Sequence, residues 1–148
     1  MSKMKSFRGK LANDSKERIR LQTKNGLTGY RIKQFRLVGT APGVAGSAES
    51  VAKVYSVDQL LIDGLVDFSD NTLLAVALWS SSSDSWLSYD TVIFDNVIFN
   101  QDIYVTFTDE QGNISGNYYL ELEQMPLDIN ESTVATLKDL KENTQNPV

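Results

Sequence analysis

Few residues of this chain combine the type and spacing that chemistry requires. Glu121 and Glu123 stand two apart, so on a strand both carboxylates share one face. Two carboxylates roughly 5–9 Å apart across a cleft hydrolyse glycosides. On an open strand face beside basic strands the same pair is an electrostatic partner, and that is the preferred reading. Asp67, Asp70 and Asn71, in DFSDN, gather the hard oxygen ligands that suit calcium. Their spacing follows no EF-hand, and turns in which Asp and Asn bond their own backbone account for them better. The segment GTAPGVAG at 39–46 looks like a phosphate cradle but lacks the Gly-Lys-Ser/Thr end of a P-loop. The chain has no cysteine and no histidine. Disulfides, zinc sites built on those residues, and imidazole or thiolate catalysis are therefore excluded. No catalytic residue, cofactor or metal ligand is assigned, and the chain is read as a non-enzyme.

Charge and aromatic residues carry more information. Residues 1–36 hold eleven of the fourteen Lys and Arg against Asp14 and Glu17, a balance of +9. Residues 37–148 hold the other three bases against seventeen acids, a balance of -14. Such polarity allows basic strands to pair with acidic ones inside the fold. It also allows basic faces to meet acidic faces between copies. Contact with nucleic acid is the least favoured reading, because Phe7, Tyr30 and Phe35 alternate with Ile and Leu and should face inward rather than stack on bases. Of Trp79, Trp86, Tyr89, Tyr118 and Tyr119, two are expected in the core. Trp86 and Tyr89 fall in a polar loop, where exposed rings anchor interfaces or contact a glycan. The candidate interface residues are Arg8, Arg18, Arg20, Arg31, Lys33, Arg36, Trp86 and Tyr89. Reversing Arg18 and Arg20 to Glu is expected to weaken binding and to leave the fold intact.

The elements that must position these residues are mostly short strands. Residues 5–11 and 17–23 alternate, the second with Ile19 and Leu21 on one face. Asn13-Asp14-Ser15 is a turn, and Asn25-Gly26 signals a hairpin. From Tyr30 to Val38 the phase changes: Tyr30 and Ile32 have one parity, Phe35 and Leu37 the other. A bulge near Lys33-Gln34 would bring all four onto one face, and a strand passing between sheets is the alternative. Residues 39–50 read as a Gly/Ala/Ser loop or arm. Strands are expected at 50–56, 72–79, 91–94, 102–108 and 117–124, the second of these ambiguous with a short helix. Leu60–Phe68 is an apolar segment broken by a tight turn at Asp63-Gly64. Residues 80–90 and 109–116 read as loops, the latter within a hairpin. Residues 131–142 predict a helix capped by Asn130, with Val134, Leu137 and Leu140 or Lys141 on one side, and 143–148 a tail. The expected fold is all-β: one antiparallel β-sandwich or jelly-roll-like domain with a short C-terminal helix. Met1–Lys10 is basic without a following apolar run, and no apolar stretch is long enough to span a membrane, so neither a secretory signal nor a membrane segment is expected.

Several segments carry a family resemblance: KSFRGKLANDSKERIRLQTKNGLTGYRI at 5–32, DFSDNTLLAVALW at 67–79, TVIFDNVIFNQDIYVTFTD at 91–109 and NYYLELEQMPLDINESTVATLKDLK at 117–141. Together they resemble a group of small proteins encoded by marine tailed bacteriophages, most weakly at 39–50 and 80–90. The resemblance implies a virion structural protein and carries over no functional residue. It leads to the expectation of a capsid decoration or cement protein, with a tail or neck component and a carbohydrate-binding module for host attachment as alternatives. The expected partners are other copies of the chain, in a homo-oligomer such as a trimer, and phage capsid or tail proteins. The expected location is the virion, assembled in the host cytoplasm.

Overall fold

The computed structural model describes residues 3–41, 47–81, 87–94, 97–111 and 113–145. Among these residues eight strands and one helix follow in chain order: β1 (Lys3–Leu11), β2 (Ser15–Ile19), β3 (Thr28–Gly39), β4 (Ala48–Tyr55), β5 (Leu73–Ser81), β6 (Leu87–Ile93), β7 (Ile103–Asp109), β8 (Gly116–Pro126) and α1 (Ile129–Gln145). They form two antiparallel sheets, ordered β1-β8-β3 and β2-β7-β4-β5-β6. A jelly roll is a rolled hairpin ribbon of eight strands. In it the first strand pairs with the eighth, the second with the seventh, the third with the sixth and the fourth with the fifth. Three of those four pairs are present. The exception is β6, which extends the free edge of β5 instead of pairing with β3. The fold is therefore a β-sandwich of jelly-roll-like order.

Alternation builds the core. Phe35, Leu120, Leu122, Ile103, Val105 and Phe107 are almost wholly buried between the sheets. The phase change in β3 is a bulge: the register on β8 shifts between Ile32 and Gln34, leaving Lys33 as the extra residue. Tyr30, Ile32, Phe35 and Leu37 are all buried as a result. Gly116 lies where β8 meets β7 of the other sheet, and the Phe107 ring occupies the space a Cβ would need. The run expected as strand at 72–79 is β5, which begins at Leu73 and extends to Ser81. Its continuous apolar run reflects cover on both faces rather than a helix.

That second cover is the β4–β5 connection, residues 56–72, which crosses the outer face of the five-stranded sheet as a strap. The row beneath it runs Lys16, Thr106, Lys53, Val76, Val92, from β2 to β6. Lys16 Nζ donates to Asp58 Oδ1 at 2.7 Å and to the Gln59 carbonyl at 2.8 Å. Lys53, only 3% exposed, donates to the Leu65 carbonyl at 2.5 Å and to Asp63 Oδ1 at 3.4 Å. Phe68 closes the far end edge-on against Phe94.

Several expectations need correction. Asn25-Gly26 forms a turn, with Gly26 at φ +66°, but no hairpin: β2 and β3 belong to different sheets. The same holds at 109–116, because β7 and β8 also lie in different sheets. Closing a sandwich requires such crossings, and the local sequence does not distinguish them from hairpin turns. The expected strand at 17–23 is β2, which runs from 15 to 19. The 39–50 segment is shorter than expected, because Gly39 ends β3 and Ala48 begins β4; residues 42–46 lie outside the described residues. The 80–90 loop gives way to β5 as far as Ser81 and to β6 from Leu87. The helix is longer than 131–142, and its cap is Asp128, not Asn130. Asp128 Oδ1 accepts the Glu131 N–H at 2.7 Å and Glu131 Oε1 accepts the Asp128 N–H at 3.1 Å, a reciprocal capping box. The helix docks through Asn100, fully buried, which donates to Thr136 Oγ1 and to the Gly26 carbonyl. Val134 and Leu137 face solvent.

Candidate functional site

The strand registers place the basic residues in two settings. In the first, charge is consumed inside the fold. Arg31 on β3 opposes Glu123 on β8, and its Nη2 lies 2.5 Å from Glu123 Oε1. The Tyr119 hydroxyl donates to Glu121 Oε2 at 2.9 Å. That bond, with the nearby negative charge, raises the Tyr119 pKa above its ordinary value. Both glutamates therefore sit on the open outer face of the three-stranded sheet beside basic strands, as the electrostatic reading of the pair expects. Arg18 likewise pairs with Asp102, at 2.6 Å, while Asp102 Oδ1 accepts the Leu21 and Gln22 N–H groups. Burial pushes the Asp102 carboxyl up. The two backbone N–H bonds and the Arg18 guanidinium outweigh it and hold the group below its ordinary value. The expectation that reversing Arg18 leaves the fold intact is thereby corrected: Arg18 neutralises an almost buried carboxylate.

In the second setting charge is left available. Arg8 on β1 and Arg36 on β3 both oppose Tyr119 on β8, so one row reads Arg8, Tyr119, Arg36 across the sheet. The next row is Lys10, Asn117, Val38. Arg8, Lys10 and Arg36 are exposed, and among the described residues no ion pair engages them. Alternation is the cause: Phe7, Leu11, Phe35 and Leu37 point inward, so their neighbours must point outward. Tyr89 joins this strip from the other sheet. It opposes Trp79 on β5, is 66% exposed, and lines a shallow recess with Arg36, Val38 and Leu78. The resulting strip carries three cations, two phenol rings and an apolar rim, a composition suited to a partially acidic protein surface.

Of the candidate residues, Arg8, Arg36 and Tyr89 come together. Arg18 and Arg31 are spent on internal pairs. Lys33 is the exposed bulge residue of β3, and Arg20 is exposed just beyond β2 on the other sheet. Trp86 lies outside the described residues. Trp79 and Tyr118 are the two core rings, the latter donating a short hydrogen bond to Glu17. Lys10 and Tyr119 were missed as site residues. The alternation of NYYLELEQ already put Tyr119 outward, but only the β1-β8-β3 order sets it between two arginines. In the strap, Asp67 and Asp70 each accept from the backbone N–H and hydroxyl of the residue two ahead, Ser69 and Thr72. Both act as turn formers. No family model matches the chain, and a search of curated proteins finds no match.

Proposed function

We propose that this protein is a bacteriophage virion structural protein, a capsid decoration or cement protein that binds the particle through repeated symmetric contacts. The observation that carries this reading is the strip of Arg8, Lys10, Tyr119, Arg36 and Tyr89, laid across two sheets, whose three cations are engaged by no ion pair among the described residues. It suits acidic faces on neighbouring subunits, with many modest contacts summed by symmetry. The jelly-roll-like strand order adds support at the level of fold analogy, since capsid domains use that architecture. The resemblance to small proteins of marine tailed phages points the same way. The test is immunogold labelling of particles of the encoding phage with an antibody to this chain. Label over the capsid shell is the expected result. Label on the neck or tail would move the protein there, and unlabelled particles would overturn the proposal. In the same particles, Arg8→Glu with Arg36→Glu should lower occupancy at least tenfold without loss of fold.

A second reading, a carbohydrate-binding module for host attachment, is favoured by one observation, the exposed Tyr89 ring beside its recess. Glycan-array binding that disappears in Tyr89→Ala would support it. A blank array would sink it.

A further inference from the structure

The strap at 56–72 has an inverted construction. Its underside holds a buried lysine, and its crest exposes Leu60, Leu61, Leu65, Val66 and Phe68, the first three about three-quarters exposed at 74%, 76% and 75%. A loop that simply closed over a sheet would turn such residues inward, because burying a leucine is worth about 1.5–3 kcal/mol. Here the two lysine anchors, and the Asp63 Oδ1 bond to the Leu65 N–H, fix the backbone with the leucines outward. Clustered and rimmed by polar residues, exposed apolar side chains of this kind mark contact surfaces. The strap is also acidic. It carries Asp58, Asp63, Asp67 and Asp70 and no base, and Glu110 lies against Gly64. Two of those charges are met by Lys16 and Lys53 from below, leaving the crest net negative.

The opposite side of the sandwich is its complement: Arg8, Lys10 and Arg36 stand free among the described residues, with Val38 and Tyr89 as an apolar rim. We infer that the strap crest of one copy docks on the basic outer face of the three-stranded sheet of the next. The contact joins two different surfaces, so it is head-to-tail. It propagates into an open stack with one unused face at each end, or into a closed ring with none, and not into a two-fold dimer. The inference rests on the proposed reading of the basic strip as a contact for acidic neighbours and names that neighbour as a second copy of this chain.

Two variants test it by sedimentation at low salt. One removes the crest, Leu61→Ser with Leu65→Ser. The other reverses the face, Arg8→Glu with Arg36→Glu. All four positions are exposed, and circular dichroism and melting should match the wild type. The wild-type chain is expected to associate with rising concentration and to dissociate as salt rises. Each variant alone should be monomeric. Mixed in equal amounts, they should form a species of twice the 16.5 kDa chain and no larger, because only one intact crest and one intact face remain per pair. A mixture that stays monomeric, or a crest variant that still associates, would overturn the head-to-tail contact. A wild-type chain that remains monomeric at high concentration also overturns it, and leaves the virion reading to the particle labelling. Association combined with unlabelled particles sinks the virion reading and keeps the contact.

Discussion

At the residue scale, the useful distinction is between charge that the fold uses and charge that it leaves over. Asp102 shows the first kind. Its carboxylate is 8% exposed, yet it binds Arg18 and two backbone N–H groups, so the charged form is favoured in the folded state. Its folded pKa lies below the ordinary 3.8. The associated stability is therefore complete above that value and is lost as pH falls through the depressed one. Asp102→Asn should lower stability by about 2 kcal/mol at neutral pH. The gap to the wild type should narrow below about pH 4, where the wild-type carboxylate also begins to protonate. Urea titrations at several pH values check this, and a gap independent of pH would show that the carboxylate charge is not the source. Arg8, Lys10 and Arg36 show the second kind. The composition revealed the surplus of bases. Which bases are surplus depends on partners far away in sequence, 84 residues for Arg18 and Asp102 and 92 for Arg31 and Glu123.

At the scale of elements, two devices decide what each face presents. The first is the bulge in β3. Its signature, a change of parity between Ile32 and Phe35, was legible in the sequence because both pairs of apolar residues must face one core. Deleting Lys33 should remove the bulge and leave Tyr30, Ile32, Phe35 and Leu37 on one face in unbroken alternation, with the β8 register from Ile32 to Gln34 continuous. The expected result is a cooperative unfolding transition close to that of the wild type in a denaturant titration; loss of the transition would mean that the bulge itself, and not the shared inward face, is what the strand requires. The second device is the strap, and it was not legible. Its apolar residues suggested burial, whereas what is buried is Lys53, a residue whose type argues for solvent. Only the row Lys16, Thr106, Lys53 under residues 56–72 explains it. Lys53→Ala should leave the Leu65 carbonyl without its side-chain donor and Asp63 without its cation, costing about 2–3 kcal/mol. Hydrogen exchange should rise selectively across 57–72 while the core strands stay protected, and uniform loss of protection would assign Lys53 to the global fold instead. Strand existence was readable along most of the chain from period-two alternation. Which strands are neighbours was not, since turns between sheets and turns within a hairpin use the same Asn, Asp and Gly residues.

At the scale of the whole molecule, the charge asymmetry is the pairing scheme itself. Among the described residues, every strand of the basic front hydrogen-bonds in its sheet only to strands of the acidic rear: β1 and β3 flank β8, and β2 pairs with β7. The front contributes no pair of its own strands, so neither part holds a closed core. The first strand and the last are neighbours, from Lys3 opposite Gln124 to Leu11 opposite Gly116, which makes the two parts interdependent rather than successive domains. Separate chains ending at residue 41 and beginning at residue 47 carry the charges +9 and -14 intact. Each should be unstructured alone. Mixed, they should regain the β-sheet circular dichroism of the whole protein, because the lost covalent link removes no strand pair. Attraction between the oppositely charged pieces should speed their encounter, so the bimolecular rate should fall steeply as salt rises. A rear piece that folds unaided would show that β4 to β8 form a self-sufficient sheet. A rate indifferent to salt would show that the charge asymmetry serves the outer surfaces and not the assembly of the sandwich.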